Sequence, residues 1–337
     1  MQVKLGTAES LTRAISSSSY SDMDSEPHDV SAFASLPYEL VGSIIQHLDT
    51  RTLLSVCLAG KALYQEAVPH LYRYIEYGRA ELLHLKFLPV LIANPKLAAL
   101  VHVYHSDTIA KRHTVHARRA EGPMQLWNLT LQAIPLMINL QRLRFRDWNG
   151  LSSVQILKTA RFQLVDFDWG CAFEGKELAD FLATQTKLRH IVFAPDSFKC
   201  ALDPKACETI KSIGGSYATI SNLLPGCSGV EHLRWFPDQG EHQYWTEDLE
   251  SDTPIGQSMQ CVVSLSLGGF GVRPLLPYFG STLTSLRSLE LYNIDIQVIY
   301  FQVSPLGGVL TVYIRLNFRS SSSWTSWKPW SSRLLGI

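Results

Sequence analysis

The sequence predicts an α/β fold in which three short N-terminal helices precede an irregular solenoid of parallel strands. Three observations carry this: helical apolar spacing between residues 36 and 75, a short apolar pattern recurring from residue 97 onward, and helix-like segments between its copies. The chain has 337 residues, of which 46% are apolar and 18% charged, a balance suited to a buried core. Thirty basic residues offset thirty acidic ones. That neutrality argues against a polyanion or an anionic membrane as the main partner, so neither nucleic acid nor membrane is expected.

Residues 1–34 contain eight serines and five acids against two bases, with no apolar period, and are read as a solvated leader. The texture changes at Leu36-Pro37, where Leu40, Val41, Ile44, Ile45 and Leu48 follow at helical spacing. Pro37 suits a helix start, and Asp49 or Thr50 can cap a second helix carrying Leu53, Leu54, Cys57 and Leu58 before Gly60. A third helix carries Leu63, Tyr64, Ala67 and Val68, and Pro69 predicts its end. Three such helices within residues 35–80 bear apolar residues on more than one face, more than so small a unit can bury within itself.

Beyond them the pattern LxxLxL appears loosely at Leu97-Leu100-Val103. Fuller copies follow at Leu140-Leu143-Phe145, Phe162-Val165-Phe167, Leu188-Ile191-Phe193, Val230-Leu233-Trp235, Val262-Leu265-Leu267 and Leu286-Leu289-Leu291. Helices are expected at Met124 to Met137 and Lys176 to Thr184. Intervals between the starts of the six fuller copies run from 22 to 42 residues, which brackets the leucine-rich-repeat range without fixing a period. Where such repeats place Asn or Cys, this chain has Trp148, Gly170, Asp196, Asp238, Phe270 and Ile294, so residues 81–295 read as a degenerate repeat domain. An eight-stranded closed barrel is the competing geometry, disfavoured by the unequal intervals. The segment 296–337 has no acid, four bases, eight serines and three tryptophans, and reads as an atypical tail, truncated or foreign to the array, with a strand pair around Gly307-Gly308.

Residues 36–75, Leu-Pro-x-Glu-Leu through Pro-x-Leu-Tyr-Arg, resemble an F-box, and the whole resembles fungal F-box proteins with degenerate leucine-rich repeats. The resemblance implies a non-catalytic adaptor that docks a Skp-type linker of a cullin–RING ubiquitin ligase and presents a target protein on its repeats. Leu36, Pro37, Ile44, Leu48, Leu53 and Leu54 are then the expected anchors on the Skp-type adaptor. The alternative is a repeat scaffold that binds protein or RNA with no ligase connection, its helices serving as a cap.

Catalytic and cofactor motifs are absent. Gly269-Phe270-Gly271 lacks the third glycine of a dinucleotide loop, and no GxxxxGK[ST], GxSxG or HExxH occurs, so no enzyme and no cofactor is expected. His102, His105, His113 and His116, with Asp107, are spaced like metal ligands but read more simply as a polar loop. Lys111, Arg112, Arg118 and Arg119 make a local basic cluster, and Glu241 to Asp252 an acidic insertion suited to a binding loop. The six cysteines form no CxxC pair, and neither a signal segment nor an apolar run long enough to cross a membrane occurs, so a cytoplasmic or nuclear location is expected.

Overall fold

A computed structural model describes residues 36–76, 81–107, 121–146, 153–171, 175–194, 198, 200–236, 252–268, 282–292 and 311–315. The leader, the basic cluster at 111–119, most of the acidic insertion and the Gly269-Phe270-Gly271 turn lie outside these residues. Two compact units are present, residues 1–230 and 231–337. Both are α/β with parallel strands. Among the described residues no helix is long and apolar enough to cross a membrane.

The first unit begins with helices α1 (Tyr38–Ile45), α2 (Thr50–Ala59) and α3 (Lys61–Arg73). Asp49 caps α2 by accepting from the Thr52 N–H at 2.9 Å, as the sequence predicts. The predicted break at Pro69 does not occur, because α3 continues to Arg73. Pro69 and Gln65, whose carbonyl the proline cannot serve, are both exposed, so water can take the place of the missing bond.

Strands β1 (Tyr74–Glu76), β2 (Val103–Ser106), β3 (Arg142–Phe145), β4 (Asp166–Trp169), β5 (His190–Phe193) and β6 (Ser212–Gly215) follow, each pairing in parallel with the next. Between them lie α4 (Glu81–Ala93), α5 (Pro95–Ala98), α6 (Glu121–Ala133), α7 (Lys176–Ala183) and α8 (Pro204–Cys207), with α9 (Tyr217–Leu223) after β6. The second unit holds β7 (His232–Trp235), α10 (Pro254–Met259), β8 (Ser264–Gly268), β9 (Ser288–Tyr292) and β10 (Thr311–Arg315), again paired in parallel and in chain order. The described part of the tail is a strand laid parallel to β9, and the other half of the expected strand pair lies outside the described residues.

Strand pairing corrects the repeat register in three places. Arg142 pairs with Asp166, so the copy after Leu140-Leu143-Phe145 is Leu164-Phe167-Trp169, two residues later than Phe162-Val165-Phe167. Val103 pairs with Arg142, which makes the first such copy Val101-Tyr104-Ser106 in place of Leu97-Leu100-Val103. His190 pairs with Ser212, adding Ile210-Ile213-Gly215 inside the longest interval. In the first unit paired residues 142, 166, 190 and 212 are separated by 24, 24 and 22 positions. In the second, 232, 264, 288 and 311 are separated by 32, 24 and 23. The period is therefore nearly regular once insertions are set aside.

Aromatic side chains fill the inward positions, where each can stack on the next repeat. Phe145 lies 5.4 Å from Trp169, Trp169 5.2 Å from Phe167, and Phe193 4.6 Å from Phe198, all ring centroids of buried residues. In place of an asparagine ladder, scattered side chains tie successive repeats to backbone. Asn139 Nδ2 donates to Ala99 O at 2.7 Å, Thr209 Oγ1 to Leu188 O at 2.8 Å, and the buried Gln185 Oε1 accepts from Leu164 N at 2.9 Å. Buried backbone groups need such partners wherever the turn itself supplies none.

Candidate functional site: an outward apolar face on the N-terminal helices

Helices α1 and α2 both pack on α3, and they do so with one side only. Val41, Ile45, Leu53 and Ala67 form a buried cluster, against which Leu48, Val56, Cys57, Leu63 and Leu71 pack. Burial pushes the Cys57 thiol above its ordinary pKa. On α1 the core-forming positions 41, 45 and 48 follow helical spacing, and so do Pro37, Leu40 and Ile44 on a second stripe that faces out. Leu36 is 37% exposed, Leu40 51%, Ile44 44% and, on α2, Leu58 66%. Leu36, Leu40 and Ile44 thus form an exposed apolar stripe along α1.

The six expected anchors divide accordingly. Leu36, Pro37 and Ile44 are exposed, Leu48 and Leu54 half-buried, and Leu53 is buried at 5% in the three-helix cluster. Leu40 and Leu58 join the exposed set. The sequence contained them at apolar helical positions, but spacing alone does not tell an inward stripe from an outward one. Gly42 lies between the stripes, where a Cβ would meet Glu66 Oε2 of α3 at an ordinary 3.6 Å, so nothing in α1 requires glycine there.

A second surface, absent from the sequence reading, lies on the outward face of β1 to β5. Alternate strand residues point away from the core, and register sets Glu76, His105, Arg144 and Asp168 side by side. Arg142 Nε meets Asp166 Oδ2 at 2.7 Å, Arg144 Nε lies 3.3 Å from Asp107 and 3.4 Å from Asp168, and His190 lies 3.8 Å from Asp166. Arg146 forks onto Asp168, its Nη2 2.9 Å from Oδ2 and 3.1 Å from Oδ1. Burial opposes charge on Arg146, but Asp168 outweighs it and raises the guanidinium pKa. Burial lowers His105, as does Arg144, against the opposing pull of Glu76, Asp168 and Asp107. These charges offset one another, although Arg144 Nε and Asp107 Oδ1 are buried and make no hydrogen bond among the described residues. The only signal in the sequence was the polar alternation Arg142-Leu-Arg144-Phe-Arg146 beside Asp166-Phe-Asp168-Trp.

Of the spaced histidines, His102 bonds its own chain through Nδ1 to Leu100 O at 2.9 Å and His105 faces Glu76 at 3.6 Å, while His113 and His116 lie outside the described residues. Among the described residues no three His, Cys, Asp or Glu converge on a metal position. No protein-family model matches the chain, and no curated protein matches it.

Proposed function

We propose that the chain is a non-catalytic, substrate-recruiting adaptor of a Skp/cullin/F-box-type ubiquitin ligase. In this reading α1 to α3 are an F-box that docks a Skp-type linker, and the following strands are a leucine-rich-repeat-like array that presents a target protein. The observation that carries it is the second apolar stripe of α1 and α2. A cap that only closed the repeats would turn those residues inward, whereas Leu36, Leu40, Ile44 and Leu58 face solvent. Leu53 then holds the helices together and supports the docking face from behind, while Leu36, Pro37 and Ile44 make contact with the Skp-type adaptor, flanked by Leu48 and Leu54. Strand order that follows chain order, at a spacing of 22 to 24 residues over β3 to β6, supports the repeat part of the reading. Such an adaptor would work in the cytoplasm or nucleus.

The test is co-purification of the full chain with a Skp-type adaptor, comparing wild type with the double variant Leu36→Ala/Pro37→Ala and with Ile44→Asp. Capture of wild type, lost in both variants while they remain folded, is the expected result. A folded wild-type chain that fails to bind overturns the adaptor reading in favour of a repeat scaffold.

A further inference from the structure

We infer that Cys207 and Cys227 form a redox modification site which a hydroperoxide closes into an intramolecular disulfide. Both cysteines are free and buried within the first unit. Each occupies the same place in its repeat, three residues before the first apolar residue of the pattern. The carbonyl of Cys207 accepts from Ile210 N at 3.2 Å, and that of Cys227 from Val230 N at 3.3 Å. Equivalent positions in successive parallel repeats stack at about 4.8 Å, which falls within the Cα separation a disulfide spans. The Cys207 sulfur is directed at the neighbouring turn, since a Cβ placed on Gly226 would stand 3.6 Å from it.

The two thiols lie close enough to perturb one another, and this makes them unequal. The contact with Cys227 lowers the Cys207 pKa, against burial and the charge of Asp203. The same contact, followed by burial, raises Cys227. Cys207 is thus the readier thiolate and Cys227 the thiol that keeps its proton. Elsewhere in the array this position holds Ala98, Met137, Gln185, Met259 and Leu283, all buried, and, before Leu164, the exposed Arg161. The fold needs only a side chain that fills the turn there, so two thiols on consecutive repeats are not imposed by packing.

The chemistry balances with one co-reactant. The Cys207 thiolate attacks the terminal oxygen of the hydroperoxide, the O–O bond breaks, and a sulfenic acid forms as the alkoxide or hydroxide departs and takes a proton from solvent to become alcohol or water. The Cys227 sulfur then attacks the Cys207 sulfur, the S–O bond breaks, and the hydroxide leaves as water with the Cys227 proton. Two thiols are oxidised to one disulfide and the hydroperoxide is reduced. A dithiol reverses the change by exchange.

The test treats the reduced full chain with hydrogen peroxide, alkylates it under denaturing conditions and maps the cysteines by mass spectrometry, alongside thermal melting with and without dithiothreitol. The expected result is a Cys207–Cys227 cross-linked peptide and a raised melting temperature that dithiothreitol returns to its starting value. Cys207→Ala should abolish both effects, and Cys261→Ser, which changes an exposed thiol, should abolish neither. Full alkylation of both residues after peroxide, cross-linking of either to a different cysteine, or a melting shift that persists in Cys207→Ala would each overturn the inference.

Discussion

Arg146 lies flat across Gly170: a Cβ on that glycine would stand 2.5 Å from Arg146 Cγ and 3.0 Å from its Cβ. The missing side chain on β4's flank is what lets the arginine stem run over the neighbouring strand and deliver its guanidinium to Asp168. Because the contact falls at the root of the arginine rather than its flexible end, it cannot be relieved by a rotamer change alone. Gly170→Ala should therefore cost about 1–3 kcal/mol in urea denaturation. Adding Arg146→Ala to that variant should recover part of the loss, and purely additive effects would refute the contact.

Acidification should weaken the first unit through His105. Burial, aided by Arg144, holds its folded pKa below the ordinary 6.5. Below pH 6.5 the unfolded chain binds the proton more readily than the folded one, so this contribution to stability is present above 6.5 and is lost as pH falls toward the folded value. One proton limits the slope to about 1.4 kcal/mol per pH unit. Denaturation midpoints of wild type and His105→Gln, followed downward from pH 7, should diverge below 6.5, and parallel curves would count against the assignment.

Gln185 holds a buried backbone group that its own repeat does not satisfy. Its Oε1 accepts from Leu164 N, and its Nε2 donates to Thr184 Oγ1 at 2.9 Å. Gln185→Leu fills the same turn but leaves the Leu164 N–H without that partner. The expected loss is about 1–3 kcal/mol. Hydrogen exchange at Leu164 should accelerate in the variant, and unchanged protection would show that the bond is dispensable.

The two stripes on α1 and α2 should separate stability from binding. Leu53→Ala removes a buried side chain and should cost about 2–5 kcal/mol. Leu40→Ser and Leu58→Ser change residues already in water and should leave the melting temperature within about a degree or two of wild type, since exposed substitutions cost little. Those exposed variants should nevertheless lose capture by a Skp-type adaptor, measured on full-length protein.

Much of this architecture was legible in the residues. Asp49 as a cap, the helices near 124–137 and 176–184, and the strands that carry Phe145, Phe193, Trp235, Leu267 and Leu291 all follow from local chemistry and apolar spacing. The register of β4 did not, because Phe162, Leu164, Val165, Phe167 and Trp169 satisfy the same pattern two residues apart. Only pairing with β3, which matches Arg142 and Arg144 to Asp166 and Asp168, chooses between them. The β6 repeat was hidden for the opposite reason. Its third apolar place is taken by Gly215, where a Cβ would stand 2.8 Å from the Thr219 side chain, so close packing of α9 on the strand excludes a larger residue.

The sequence by itself determined many of the helices and strands and that the N-terminal helices carry more apolar surface than they can enclose, since both are properties of residues a few positions apart. Tertiary structure alone decided which apolar stripe faces water, how the charges of β1 to β5 pair, and that Cys207 and Cys227 meet. Those outcomes depend on contacts between residues about a dozen or more positions apart, which periodicity does not encode.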